Sequence, residues 1–151
     1  MGQSESRKEL GGLDLVQGAK NLLDFLAVVD DHPGLFSGPV LKNAIRRYEH
    51  LWLPLIANQQ RMHERTNLAA PLDIAWVWHV HMLAPHHYEK DCDNIVSVLV
   101  DNYPVTPGQR QAGLQRAKRV WEKRYPFEPF EIKLDKEIGR ASCRERVLRL
   151  V

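Results

Sequence analysis

The sequence predicts an all-α fold: a single compact domain of about four to five helices, followed by a proline-rich C-terminal arm. Three observations support this prediction. Apolar residues recur at helical spacing, proline and glycine mark the helix boundaries, and no stretch alternates apolar and polar residues for long enough to build a sheet. The chain has 151 residues, of which 44% are hydrophobic, and this is enough to form one sizeable core.

The first helix is predicted to begin after Asp14, an N-cap residue with Gln17 three positions later. The apolar positions with helical spacing are Leu15, Ala19, Leu22, Leu23, Leu26 and Val29. Pro33 and Gly34 then favour a turn, because proline fixes φ and glycine permits a positive φ.

The second helix is predicted to begin at Pro39, since proline is favoured at the first helical position. It has the strongest helical periodicity of the chain, carried by Leu41, Ala44, Ile45, Tyr48, Leu51, Trp52 and Leu55. Pro54 lacks an N–H group and disfavours a helical Leu53, so we expect the helix to kink or end there, with residues 57–68 as a loop or frayed helix end. The residues expected on the solvent-exposed face are Arg46, Arg47, Glu49 and His50.

A third helix is predicted from Pro71, with Asp73 in its first turn, where a carboxylate interacts favourably with the helix dipole. Pro85 interrupts this helix, because its ring clashes with the carbonyl group four residues earlier. A new helical turn is expected from Pro85 toward Cys92, with residues 94–100 as a further extension.

The last helix is predicted from the capping-box pattern at Thr106 and Pro107 to the stop at Tyr125 and Pro126. We interpret the aromatic arm that follows as packing back on the helices. A peptide-docking surface is the functional alternative. The last helix also carries four basic residues, which we interpret as a solvent-exposed face rather than a phosphate-binding stripe. They are Lys118, Arg119, Lys123 and Arg124.

Residues 70–92 hold four of the seven histidines and two of the four tryptophans, together with aspartate and cysteine side chains that suit zinc or a similar divalent metal. The candidate metal ligands are His79, His81, His86, Asp73, Asp91 and Cys92. On a regular helix, His79 and His81 diverge by about 200°, so they face one ion only if the backbone departs from helical geometry. The spacing matches no known zinc signature.

The alternative is that His79 and His81 are core histidines, bonded to backbone carbonyl groups near Pro85 or to Asp73. Trp76 and Trp78 would then fill the space between helices. A nucleophilic role for Cys92 has no supporting signature. No catalytic residues are therefore predicted, and a metal-dependent, hydrolytic site stays open as the alternative to a non-catalytic domain.

Both ends of the chain are set apart from this domain. Residues 1–12 are expected to be a disordered leader, in which Gly2 fits the short myristoylation pattern, although an unmodified terminus is favoured. Residues 138–147 resemble a translated sequencing adapter, so residues 137–151 are expected to be a non-native tail and the chain a fragment. Because residues 138–151 carry a net charge of +3, the rest has −1, and the overall charge gives no support for nucleic-acid binding.

Without Cys143 in that tail, Cys92 stands alone, which fits a reducing compartment. The sequence shows neither a long apolar run nor a secretory signal. We therefore expect a cytoplasmic protein, without excluding the nucleus, that reaches a membrane only if Gly2 is myristoylated.

Three motifs resemble the N-terminal domain of the glycine-rich domain-containing proteins, found in plants and other eukaryotes. They are RYxxxWLPL at residues 47–55, PLDxxWxWHxHxLxPxxYxxDC at residues 71–92 and WxxRYPxEPF at residues 121–130. The resemblance covers about residues 13–136. Its motif positions include Trp52, Trp76, Trp78, Pro85, Tyr88, Trp121, Tyr125, Pro126, Glu128 and Pro129.

The resemblance implies a domain without an established biochemical activity. Its longer relatives continue into glycine-rich segments, some with an RNA-recognition module, and this chain contains neither, so RNA binding is not transferred to it. We therefore expect a non-catalytic interaction or regulatory domain with a protein partner. The metal-binding alternative would use the His79, His81 and His86 cluster.

Overall fold

The computed structural model describes residues 9–10, 13–62, 67–102 and 107–135. Gly2, most of the predicted leader, Thr106 and the predicted tail after Asp135 lie outside these residues. In the described part, helices dominate, and the only strands are Glu9–Leu10 (β1) and Leu13–Asp14 (β2), paired antiparallel. The all-α prediction is confirmed, although β1 forms in a segment expected to be disordered.

Six α-helices account for most of the described chain. They are α1 (Leu15–Asp30), α2 (Gly38–Arg47), α3 (Leu53–Arg61), α4 (Leu72–Met82), α5 (Pro85–Val96) and α6 (Pro107–Arg124). A 3₁₀ turn, Pro33–Leu35, precedes α2, and a π-helical segment, Tyr48–Trp52, joins α2 to α3 without a break. Because α2, the π-helical segment and α3 form one continuous rod, the described residues contain five helical rods.

The first helix begins as predicted but packs less than predicted. The Asp14 carboxylate accepts a hydrogen bond from the Gln17 backbone N–H at 3.0 Å, which confirms the N-cap. Val29 is the buried residue of α1, whereas the large apolar residues Leu15, Val16, Leu22, Leu23 and Val28 are exposed. The apolar side of α1 is therefore only partly covered by the rest of the described chain.

The sequence predicts a kink or an end of the second helix at Pro54, and the end is wrong. In the π-helical segment, the Leu53 N–H bonds to the Tyr48 carbonyl, five residues back. This wider turn immediately precedes the proline and accommodates the missing N–H, so the helix continues to Arg61. Residues 57–61, expected to be a loop or frayed end, are helical, and His63 lies outside the described residues.

The core is built from aromatic residues of several helices. Trp52 lies 5.9 Å from Trp78 and 6.5 Å from Trp121, measured between ring centroids. Gly113 lets α6 approach the chain closely, because a Cβ atom there would lie 2.6 Å from the Asn67 carbonyl oxygen. These contacts join the π-helical segment, α4 and α6 around one buried cluster.

The break before Pro85 is confirmed, since α4 ends at Met82 and α5 begins at Pro85. The predicted extension through residues 94–100 is confirmed only as far as Val96, where α5 ends. Ser97 adopts φ = 54°, a left-handed conformation that stops the helix. No helix within the described ranges is long and apolar enough to cross a membrane.

Candidate functional site

Arg47 is fully buried, which contradicts the solvent-exposed position predicted for it. Its Nε donates to Asp73 Oδ2 at 2.8 Å, and its Nη1 donates to Glu128 Oε1 at 3.1 Å. Its two Nη atoms also donate to the carbonyl groups of Pro129, at 2.6 Å, and Phe130, at 2.7 Å. One guanidinium group thus connects α2, the start of α4 and the C-terminal arm.

Asp73 is therefore the counterion of Arg47, and it does not join the histidines as predicted. Its side chain is 2% exposed. Burial raises the pKa of Asp73, while the Arg47 guanidinium and backbone N–H groups act in the opposite direction. The position of Arg47 could have been inferred from the sequence, because it follows the buried Ala44 by three residues and lies on the same helix face.

The C-terminal arm is held at several points, as the sequence interpretation expected. The Trp121 indole N–H donates to the Glu128 carbonyl oxygen at 2.8 Å, and the Tyr125 hydroxyl donates to the Leu51 carbonyl oxygen at 3.0 Å. Phe130 is buried, 5.9 Å from the Trp121 ring. Between these anchors, Phe127 is 100% exposed.

His81 lies in a second polar cluster, between the π-helical segment, α4 and α5. Its Nδ1 is 2.9 Å from the Tyr48 hydroxyl oxygen, and its Nε2 is 3.3 Å from Asp91 Oδ2. The Tyr88 ring packs edge-on against the imidazole, at 5.0 Å between centroids. These side-chain partners replace the backbone carbonyl groups and Asp73 that the core-histidine interpretation predicted.

Tyr88 extends this cluster into the core. Its hydroxyl group accepts a hydrogen bond from the Trp78 indole at 3.0 Å and donates to the Val100 carbonyl oxygen at 2.6 Å. Burial raises the pKa values of both Tyr48 and Tyr88 above that of an exposed tyrosine, so both hydroxyl groups are neutral near pH 7. The Tyr48 hydroxyl group is paired with His81, and the Tyr88 hydroxyl group with Trp78 and the Val100 carbonyl oxygen.

His79 points away from His81, as the helical geometry predicted. Its ring packs edge-on against Phe25, at 5.6 Å, and is stacked with Trp76, at 6.3 Å between centroids. Trp76 is itself fixed by a 3.0 Å hydrogen bond from its indole N–H to the Leu35 carbonyl oxygen. The two tryptophans therefore fill interhelical space on opposite sides of α4.

The six predicted metal ligands are dispersed. Of these, His81 and Asp91 are in contact, whereas Asp73 pairs with Arg47, His86 is exposed on α5 and Cys92 is buried. Within the described part of the chain, no group of three or more histidine, cysteine, aspartate or glutamate side chains is close enough to hold a metal ion.

A cavity of about 800 Å³ lies between α1 and the rest of the helices. It is lined mainly by apolar side chains of α1, α4 and the chain before α4, with His79 and Arg110 among its polar residues. The sequence motifs gave no indication of this cavity, because its walls come from segments that are distant in sequence.

Comparison with known proteins supports the resemblance found in the motifs. The family model for glycine-rich domain-containing protein-like sequences matches residues 2–91 and 87–147. The second range overlaps the tail predicted to be a translated adapter, which lies outside the described residues and stays a prediction. No solved structure matches the chain.

Two curated relatives from Arabidopsis thaliana are similar over most of this chain. Glycine-rich domain-containing protein 1 is 35% identical over 133 residues, covering 87% of this chain and 16% of the relative. Glycine-rich domain-containing protein 2 is 35% identical over 131 residues, covering 85% of this chain and 17% of the relative. The chain thus spans about one-sixth of the length of these relatives, and it belongs to the glycine-rich domain-containing protein-like family.

Proposed function

We propose that this domain is a non-catalytic protein-interaction module that presents Phe127, at the tip of its C-terminal arm, to an apolar pocket on a partner protein. One observation carries the proposal: Phe127 is completely exposed, although the residues on both sides of it are anchored. Aromatic side chains that enter a partner's pocket often dominate the binding energy of an interface.

The anchoring of the arm favours binding because little ordering is required. The Glu128 N–H bonds to the Tyr125 carbonyl oxygen at 3.1 Å, which closes the turn that carries Phe127. Arg47 then holds Pro129 and Phe130 through their carbonyl groups. A preorganised loop loses less conformational entropy on association than a mobile one.

The basic pair at the end of α6 favours an acidic group on the partner's rim. Lys123 and Arg124 are exposed there, immediately before the arm. Exposed residues of both signs flank this pair and the arm, namely Glu122, Glu131, Lys133 and Asp135. The Arg124 side chain is fixed beside the arm, since its Nε donates to the Tyr125 hydroxyl oxygen at 3.1 Å. Complementary rim charges mainly raise association rates and specificity.

The test begins with a photo-crosslinking amino acid at position 127 and, as a matched control, at Leu99, another exposed apolar residue. Each variant is expressed as the full-length protein in cells of the organism from which the sequence comes. A partner crosslinked at position 127 alone is then purified, and its affinity is measured for the parent, Phe127→Ala and Leu99→Ala.

We expect Phe127→Ala to weaken binding by about tenfold or more, as for a central aromatic anchor. Leu99→Ala should leave the affinity unchanged, and added salt should slow association. Equal affinity of the parent and Phe127→Ala, or the same crosslinked proteins from positions 127 and 99, would contradict the proposal. Unchanged melting temperatures for both variants would show that the loss of binding is not due to unfolding.

A further inference from the structure

The cavity beside α1 has the properties of a small-molecule site. Its volume of about 800 Å³ lies within the range of roughly 300–1,000 Å³ that is typical of ligand pockets. Apolar residues form most of its wall, including Leu22, Phe25, Ile56, Leu68, Trp78 and Met82. This cavity is separate from the arm that carries Phe127, so the inference below does not depend on the proposed function.

The apolar side of α1 gives a reason for a ligand to bind. Leu15, Leu22 and Val28 all line the cavity, yet they are 45%, 41% and 48% exposed. A helix that is amphipathic in sequence normally buries such residues against the core. An apolar occupant would remove them from water and so gain the hydrophobic free energy that the protein alone leaves unused.

The charge in the cavity wall indicates the chemistry of that occupant. Arg110 is half-buried, and burial lowers its pKa by destabilising the charged form. Its guanidinium carbon lies 5.8 Å from the centre of the Phe25 ring. No ion pair to Arg110 occurs within the described ranges. A partly desolvated cation is stabilised by an anionic group that accepts hydrogen bonds from its N–H groups.

Two acidic residues also line the cavity, and they are more exposed than Arg110. Asp24 and Asp101 are both exposed, whereas Arg110 is half-buried. His79 also lines the cavity, and its ring packs against Phe25 at 5.6 Å between ring centroids. Phe25 therefore contacts both Arg110 and His79, and the two polar side chains converge on this ring.

We propose that the cavity binds an amphipathic carboxylate, with its apolar chain beneath α1 and its carboxylate group paired with Arg110. The bidentate geometry of guanidinium and carboxylate suits this pairing. The apolar chain would contact Leu22, Phe25 and Trp78, which line the cavity. The alternative ligands are membrane lipids and acidic amphipathic peptides, and the experiment below distinguishes them from a free carboxylate.

The probe is dodecanoate, titrated calorimetrically below its micelle concentration into the full chain, with 1-dodecanol as the uncharged analogue. Arg110→Met removes the charge while keeping an apolar side chain of similar length. Arg119→Met is the matched control, because Arg119 is exposed on the same helix and does not line the cavity. Amide NMR shifts of Leu22, Phe25 and Ala75 report where the probe binds.

We expect saturable binding of dodecanoate to the parent, with the shifts confined to the cavity. Arg110→Met should weaken dodecanoate binding by about tenfold or more, the loss expected for a charge-assisted hydrogen bond, and change dodecanol binding by less than about twofold. Arg119→Met should bind dodecanoate as the parent does.

Gly18→Leu provides a second test, because it does not depend on Arg110. A Cβ atom at Gly18 meets no neighbour within 4 Å, and Gly18 lines the cavity, so a leucine side chain there would extend into the binding space. It should weaken the binding of dodecanoate and dodecanol alike. A folded Gly18→Leu variant that binds both probes as the parent does would overturn the proposed location.

Three further outcomes would overturn the proposal. The first is the absence of saturable dodecanoate binding to the parent. The second is an equal loss of affinity in Arg110→Met and Arg119→Met. The third is Arg110-dependent binding of an acidic helical peptide or of anionic vesicles, but not of free dodecanoate.

Discussion

Replacing Arg47 by methionine should destabilise the domain more than any other single change of a charged residue in the described chain. Arg47 is fully buried and bonds to Asp73, Glu128, Pro129 and Phe130. Methionine fills a similar volume but donates no hydrogen bond. The variant therefore leaves the buried Asp73 carboxylate and two carbonyl oxygens without their donor.

The magnitude follows from these lost partners. Removing one member of a buried ion pair costs about 3–5 kcal/mol, because the remaining charge is uncompensated. Each orphaned carbonyl group adds about 1–3 kcal/mol unless the arm moves and water reaches it. Since a domain is stable by only about 5–15 kcal/mol, a loss of about 4 kcal/mol or more brings Arg47→Met close to unfolding. The arm should detach before the helices unfold.

Urea unfolding measures this loss directly. With a slope of about 2 kcal/mol per molar urea, the midpoint of Arg47→Met should fall by about 2 M. The matched control is Arg46→Met, because Arg46 bonds the same Glu128 at 2.6 Å but its side chain is 45% exposed. That exposed pair should contribute only about 0–1 kcal/mol.

A second control removes both charges. Arg47→Met combined with Asp73→Leu should be more stable than Arg47→Met alone, because no buried charge then lacks a partner. If Arg47→Met costs no more than Arg46→Met, the interpretation of Arg47 as the anchor of the arm is wrong.

Three other predictions concern individual sites. Gly113→Ala should destabilise the domain by about 1–3 kcal/mol in urea unfolding, because its Cβ atom would clash with the Asn67 carbonyl group, whereas Gly18→Ala, in open space, should stabilise it by about 0.5–1 kcal/mol. Ser97→Gly should raise the melting temperature, since glycine adopts φ = 54° without strain, and a lower melting temperature would contradict this. Burial raises the pKa values of Tyr48 and Tyr88, so the unfolded chain loses these protons first and urea midpoints should fall as pH rises above about 10. This dependence of the midpoint on pH should be weaker in the double variant Tyr48→Phe/Tyr88→Phe.

Much of the fold could be predicted from local chemistry. The Asp14 cap and the break at Pro85 depend on residues adjacent in sequence, so short motifs were sufficient to identify them. At Pro54 the predicted helix end is wrong, because no sequence rule indicates the π-helical segment that accommodates an internal proline. The end of α5 at Val96 depends on the left-handed conformation of Ser97, which residues other than glycine and asparagine rarely adopt.

The site was predicted less well, because its contacts are distant in sequence. Periodicity correctly separated His79 from His81, but it could not identify Tyr48 and Asp91 as the partners of His81. The sequence predicts an exposed Arg47, because arginine is seldom buried without a partner and its partners lie 26 to 83 residues away. The cavity under α1 required the arrangement of the helices and had no local signature.

The most direct test of the buried Arg47 anchor is the exchange rate of its Nε–H proton in ¹⁵N NMR. Because this proton is buried and bonded to Asp73 at 2.8 Å, its signal should persist at pH values where that of the exposed Arg119 has already exchanged with water. The protection should be lost in Asp73→Ala, which removes the acceptor. Exchange of the Arg47 proton as fast as that of Arg119 would contradict the anchored arm on which the proposed function rests.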